Sequence, residues 1–314
     1  MNKSAYQSCL LCPRRCGVNR AAGEKGYCRE TSSLRLAAAT IHRGEEPPLT
    51  GAGGSGTIFI TGCNLGCEFC QNYQISQQGM GKTVSPEEFA RICLALQEQG
   101  AENINIVTGS HGIPAIAQGL VWARSLGLQI PILWNSSGYE SLEALALLED
   151  LIDVYLPDLK TLDKTIGKRF FNAPDYPAHA QAVILRMLET RRLSFKSVRG
   201  KPLLVSGVVV RHLALPDCLE STKKALQWFA EHCQDKALFS LMTQYTPVGP
   251  SSLTRSIDEG EYEHMTRWLE EFDSIDGFYQ ELVPDTSWLP DFTRINPFSS
   301  ELSKPVWHWK TNFV

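Results

Sequence analysis

Seven of the ten cysteines in this 314-residue chain fall in two groups whose spacing suits metal binding. Cys63, Cys67 and Cys70 lie in TGCNLGCEFCQN, and Cys9, Cys12, Cys16 and Cys28 lie in CLLCPRRCGVNRAAGEKGYC. The thiolate is the ligand form of cysteine, and soft sulfur donors select zinc or iron–sulfur clusters. Three cysteines on one tight loop can ligate three irons of a four-iron cluster and leave the fourth open. An open coordination position separates a catalytic metal centre from a structural one. The N-terminal four, opening C-x2-C, can close a zinc tetrahedron or carry a second cluster, with Arg14 and Arg15 offsetting negative charge. Cys93, Cys218 and Cys233 lie on the apolar faces of predicted helices and read as small buried hydrophobes.

The elements that must position the first group follow from residue 57 onward. Short apolar runs rich in Val, Ile and Leu occur at 57–62, 103–108, 130–135, 153–157, 202–210 and 237–245, as expected for strands buried on both faces. Helical patterns lie between and after them, at 85–99, 113–126, 139–150, 160–192 in pieces, 216–233 and 258–273. Ser85 is the expected N-cap of the first. Alternation of this kind implies α/β architecture with a parallel sheet and right-handed crossovers. Six units are too few for a closed eight-stranded barrel and suit an open, partial (β/α)6 barrel. Ligands gather at the carboxyl ends of such strands, and the three-cysteine loop follows the first of them.

Residues 1–56 are expected to form a small metal-binding appendage and a linker, 57–283 the barrel, and 284–314 a tail covering one barrel end, with Trp288, Trp307 and Trp309. Net charge is −4, which excludes nucleic acid as the default partner. The basic run RRLSFKSVRGK (191–201) reads as a solvated surface loop. No signal-peptide core and no stretch of about 18 apolar residues is present, so no membrane partner and a cytoplasmic location are expected. In a reducing compartment grouped cysteines point to metal chemistry rather than disulfides.

The C-x3-C-x2-C spacing of Cys63, Cys67 and Cys70, with Phe69 before the third cysteine and six βα units, resembles the radical S-adenosylmethionine superfamily. The resemblance implies a [4Fe–4S] cluster whose open iron binds S-adenosylmethionine. Reductive cleavage would then yield a 5′-deoxyadenosyl radical that abstracts hydrogen from a substrate. It also implies an electron donor of the flavodoxin or ferredoxin kind. Site residues are carried over by position. Gly109 and Ser110 in TGSHGIP stand where the family has a Gly-Gly-Glu motif, from which they depart. Asn135, Ser136 or Ser137 stand where the ribose would be bonded. Asp158 and Lys160 end the fourth strand, and Arg211 is available for the cofactor carboxylate.

HRGEEPPLTGAGGSGTIFITGCNLGCEFCQNYQIS, with the N-terminal cysteines, resembles homologues of the pyruvate formate-lyase activating enzyme. That narrower resemblance implies a glycyl radical enzyme or another protein as substrate, beside a small molecule. An iron–sulfur electron carrier or a zinc-bound interaction protein is the alternative without radical chemistry.

Overall fold

The computed structural model describes residues 3–249, 251–272, 275–283 and 286–314. In chain order its strands are β1 (Leu34–His42), β2 (Ser55–Ile60), β3 (Lys82–Val84), β4 (Ile104–Val107), β5 (Ile132–Ser136), β6 (Val154–Pro157), β7 (Ser194–Val198), β8 (Lys201–Leu213), β9 (Leu238–Met242), β10 (Gly277–Tyr279), β11 (Ser303–His308) and β12 (Asn312–Phe313). The α-helices are α1 (Pro47–Thr50), α2 (Tyr73–Ser76), α3 (Pro86–Glu98), α4 (Ile113–Ser125), α5 (Leu142–Ala146), α6 (Lys164–Phe171), α7 (Tyr176–Thr190), α8 (Leu219–His232) and α9 (Glu259–Glu271).

The six apolar runs become β2, β4, β5, β6, β8 and β9, paired in parallel in that spatial order. Their outward residues, such as Ile104, Ile106 and Ile132, bury against Phe89, Ile92 and Leu96 of α3 and Ile116 of α4. Ser85 caps α3 by accepting the Glu88 amide at 3.1 Å. Leu133, Val154, Leu156 and Val209 form the inner face, packed on Leu49 of α1. The edge strands β10 and β12 do not pair with each other, so the barrel is partial and open.

Three segments differ from expectation. Residues 34–42, placed in the N-terminal linker region, form β1, antiparallel to β2. The tail adds β11 to the outer edge of β1 and packs Phe292 and Phe298 on Phe59 of β2. Pro284 and Asp285, where that tail was expected to begin, lie outside the described residues. The basic run 191–201 contains β7, which pairs antiparallel with the first half of β8 as a hairpin. Small residues at Ala37–Ala39 and pairing partners far along the chain conceal β1 and β11 from a local pattern. Among the described residues no helix is long and apolar enough to cross a membrane.

His212 ties the carboxyl end of β8 to its surroundings. Its Nδ1 donates to the Leu159 carbonyl at 2.6 Å, and its Nε2 lies 3.0 Å from the Thr222 hydroxyl on α8. Burial pushes this imidazole down to about 4, against an ordinary value of 6.5. Between these values the unfolded chain binds a proton that the folded one refuses, so stability rises with pH through this window. We expect His212 to contribute about 3 kcal/mol at neutral pH that is lost as pH falls from 6.5 towards 4. Urea unfolding midpoints across pH 4–7 should show this slope, and His212→Gln should flatten it.

Candidate active site

Strand β2 ends at Ile60, and the chain then turns through Gly62 at φ +89° into the three-cysteine loop. A Cβ on Gly62 would lie 2.5 Å from Glu30 Cγ and 3.0 Å from the Cys28 carbonyl, so only glycine admits the N-terminal segment this close. The loop is fixed largely by its backbone. Gly66 and Glu68 amides donate to the carbonyls of Phe171 and Phe170, at 3.4 and 3.1 Å. Gln77 Nε2 donates to the Cys67 carbonyl at 2.9 Å, and Cys70 Sγ lies 3.2 Å from Ser76 Oγ. Phe69 is buried edge-on against Phe170, Phe171 and Tyr245, where it anchors the loop.

All three thiols are driven towards their neutral form, first by burial. Cys63 is raised further by the nearby Cys67 and Cys70, while Cys67 is pushed up to about 12. Lys160, at the end of β6, opposes this on each of them. Its Nζ is held 2.6 Å from Asp158 Oδ2. Tyr176 braces the same turn: its hydroxyl accepts the Lys160 amide at 2.9 Å and lies 2.7 Å from the Asp158 carbonyl and 2.9 Å from that of Ser137. Thus Lys160, Asp158 and Ser137 come together beside the cysteine loop. Ser137 is buried and its hydroxyl has no hydrogen-bond partner. Asn135 shares the inner face with Leu133, and its carbonyl accepts the Thr108 amide at 2.9 Å.

Three positions are placed otherwise than expected. Ser110 donates to Glu140 Oε1 at 2.6 Å, and both residues are buried, so its hydroxyl is already engaged. Gly109 is hemmed in by Ile116 and Trp134, each 2.7 Å from a notional Cβ. Arg211, expected to meet a cofactor carboxylate, is instead bound by Glu45 and Glu46, with Arg211 Nε 2.9 Å from Glu46 Oε1. Two adjacent carboxylates 165 and 166 residues upstream already occupy its guanidinium.

The N-terminal cysteines sit against the outside of the same loop. Cys9, Cys12 and Cys28 are buried and Cys16 is exposed. Burial raises Cys12 to about 11, with Cys9 and Cys28 adding to the effect and Asn64, between Cys63 and Cys67, bonding its thiol. Two arginines clamp the unit down. Arg14 donates to the carbonyls of Asn64 at 3.0 Å, Asn172 at 2.6 Å and Phe171 at 3.4 Å, and its guanidinium lies 3.9 Å from the Tyr27 ring centre. Arg20 donates to the carbonyls of Glu30, Thr31 and His111 and approaches Cys9 Sγ at 3.8 Å. Arg20 was not singled out from the sequence; its place in the CGVNR run beside the cysteines was the available signal.

Residues 57–195, which include the three-cysteine loop, match the family model described as the radical SAM superfamily. An uncharacterized protein of Methanocaldococcus jannaschii is 32% identical over 254 residues, covering 78% of this chain and 68% of that protein. The chain belongs to the radical SAM superfamily. Among solved structures, Streptococcus suis SuiB bound to S-adenosylmethionine has a TM-score of 0.50 at 15% identity, over 70% of this chain and 48% of that one. A radical SAM methyltransferase from Sphaerobacter thermophilus has a TM-score of 0.50 at 14% identity, over 72% of this chain and 66% of that one. The chain thus spans about half to two thirds of these structures, and at such identities the fold is what they share.

Radical SAM membership implies a [4Fe–4S] cluster and S-adenosylmethionine, and the loop's donor set fits the cluster. It offers three soft, half-buried thiols with mutually repelling thiolate forms, whose preference for the proton a bound cationic metal would reverse. Among the described residues no three His, Cys, Asp or Glu are grouped so as to hold one metal ion. A cluster does not require that, because each thiolate ligates a different iron. For the N-terminal four, a single zinc would have to draw Cys16 inward from the rim.

Cys63→Ala, Cys67→Ala and Cys70→Ala are each expected to cut the iron bound per chain after anaerobic reconstitution, from about four to a small fraction. Cys93→Ala, whose thiol is enclosed beneath α3, should leave the iron content unchanged. Full iron loading in any of the three loop variants would remove that thiol from the ligand set.

Proposed function

We propose that this chain cleaves S-adenosylmethionine reductively at a cluster held by Cys63, Cys67 and Cys70, and directs the radical at a substrate in the barrel lumen. The observation that carries the reading is the meeting of three half-buried cysteines after the end of β2 with the Asp158–Lys160 pair after the end of β6. The cluster and S-adenosylmethionine supply, when bound, an electron and a 5′-deoxyadenosyl radical able to take a hydrogen atom. The protein's part is to bind, orient and exclude water. Lys160 offsets the negative charge of the thiolates. Ser137, with its unpaired buried hydroxyl, and Asn135 on the inner face are the groups we assign to the cofactor's polar edge. Phe69 holds the loop closed against α6, and Gly109 and Ser110 shape the floor beneath the cofactor through Trp134 and Glu140.

Release of 5′-deoxyadenosine from S-adenosylmethionine after dithionite reduction is the test. No release from a fully loaded cluster would sink the reading in favour of an electron carrier. The finer activase reading rests on the likeness of residues 42–76 to the activating-enzyme group. It requires a glycyl radical enzyme as partner and an electron donor such as flavodoxin or ferredoxin. A glycyl radical signal in a protein captured anaerobically with this chain would support it.

We further propose that Cys9, Cys12, Cys16 and Cys28 hold a structural metal, zinc, that stiffens the outer support of the cluster loop through Asn64 and Arg14. Four thiolates close a zinc shell; Cys9, Cys12 and Cys28 are each buried and near enough that Cys9 and Cys28 raise Cys12, and the metal would draw them and Cys16 into one ligand group. Metal analysis of anaerobically purified protein should give about four irons and one zinc per chain. About eight irons and no zinc would replace the structural metal by a second cluster.

A further inference from the structure

The segment RGEEPPLT enters the lumen from below. Leu49 of α1 closes the apolar inner face among Leu133, Val154, Leu156, Leu204 and Val209. Just before it, Glu45 and Glu46 both reach Arg211. Glu46 takes the guanidinium at two oxygens and also bonds Ser240. Glu45 uses Oε2 for Arg211 and accepts from Asn105 Nδ2 on Oε1 at 2.8 Å. Two carboxylates therefore share one guanidinium in a region where all three side chains are 8–11% exposed. His42, the neighbouring base, is held below its ordinary value by burial and supplies no charge near neutral pH. The other cation of the lumen, Lys160, is taken by Asp158. Among these groups one negative charge is left uncompensated, although each carboxylate is hydrogen-bonded, and a net buried charge is costly.

A second, independent observation lies on the same spot. Asn105 is fully buried, and the amide that donates to Glu45 has an oxygen, Oδ1, with no partner. Thr40 on β1 is also fully buried, with its hydroxyl unpartnered, and it stands opposite Thr57 in the register. Two residues further, His42 has an unpartnered Nδ1 and its ring lies tilted, 4.7 Å between centres, against Phe298 of the tail. An excess carboxylate, an orphaned amide oxygen and a free hydroxyl together ask for hydrogen-bond donors carrying positive charge.

We infer that Glu45 and Asn105 form the recognition site for a cationic nitrogen of the substrate, a protonated amine or guanidinium group. Glu45 is its counter-ion and Asn105 Oδ1 its second acceptor. Arg211, itself neutralised by Glu46, fixes the rotamer of Glu45. The inference rests on the reading that the lumen holds the substrate, and it names the class that the lumen would admit. The same chemistry is present in the ammonium group of S-adenosylmethionine, so the two sources must be separated.

The test is binding, carried out on the full chain with its cluster loaded but unreduced, so it is independent of whether cleavage occurs. Cadaverine and agmatine are the probes, and 1,5-pentanediol is the uncharged match to the first. The diamine and agmatine should raise the melting temperature of the wild type by a few degrees at saturation, while the diol leaves it unchanged. Glu45→Gln should weaken the cation response at least tenfold. Asn105→Ser, which leaves the carboxylates and Arg211 in place, should weaken it several-fold and serves if the first variant does not fold. Saturating S-adenosylmethionine should leave the response to cadaverine in place. The proposal is overturned by an equal response to diol and diamine, by no response in the wild type, or by a response retained in the variants. Displacement of cadaverine by S-adenosylmethionine would overturn it as well, by assigning the carboxylate to the cofactor. Failure of the radical reading is seen separately, as absent 5′-deoxyadenosine from the wild type.

Discussion

Three thiols are half-buried together after the end of one strand, and much of the surrounding structure holds them there. Left to themselves, Cys63, Cys67 and Cys70 would keep their protons, because burial disfavours the thiolates and the loop thiols repel one another once charged. A cluster stabilises the charged forms by direct bonding, but only if the sulfurs wait in position. The loop has no regular structure of its own before α2. Its backbone is therefore tied to the end of α6 through Phe170 and Phe171, and from outside by Arg14 at the Asn64 carbonyl. Buried amides and carbonyls in an irregular segment require such partners, and here backbone groups share the task with Arg14 and Gln77.

The N-terminal unit completes that support. Gly62 lets residues 28–30 lie directly on the strand end, while Gly66 does the same for Tyr27, whose hydroxyl would be 2.5 Å from a Cβ there. Arg20 carries the contact across to His111 after β4, so one guanidinium links the N-terminal cysteines to the loop of the next strand. Arginine suits this role because its planar fork serves several carbonyls at once. The two cysteine groups, distinct in the sequence, are mechanically one assembly.

How much of this could be read in advance follows from range. The six central strands and the helices α3, α4, α7, α8 and α9 are carried by local periodicity, since each buries a continuous apolar run or stripe. The strands β1 and β11 are not, because LRLAAATIH is rich in alanine and its partner Ser303–His308 is remote. The cysteine loop was legible because its chemistry depends on spacing within one turn. Lys160 and Asp158 were legible as the end of a strand. Arg211 was located correctly at a strand end, but its partners were not, since Glu45 and Glu46 come from a segment that looked like a linker. The pairing of Glu140 with Ser110 was hidden for the same reason: a side chain's position on a strand fixes its face, while its partner is chosen by tertiary packing.

The lumen ends up with two charged stations whose separation is set by backbone. Asp158, the residue after β6, stands opposite Arg211 of β8, and the Leu159 amide donates to the Arg211 carbonyl at 2.7 Å. Lys160, facing the thiols, is one residue beyond that bond, and Arg211, facing the carboxylates, is its acceptor. His212 locks the same step to α8, and Tyr176 locks it to α7. Hydrogen abstraction by a radical depends on distance more than on acid–base strength, so under the proposed reading a rigid spacer between a cofactor site and a substrate site would have a direct catalytic value. Ladder bonds between two central strands provide such a spacer, since neither side chain can move along the lumen without breaking the pairing of β6 with β8.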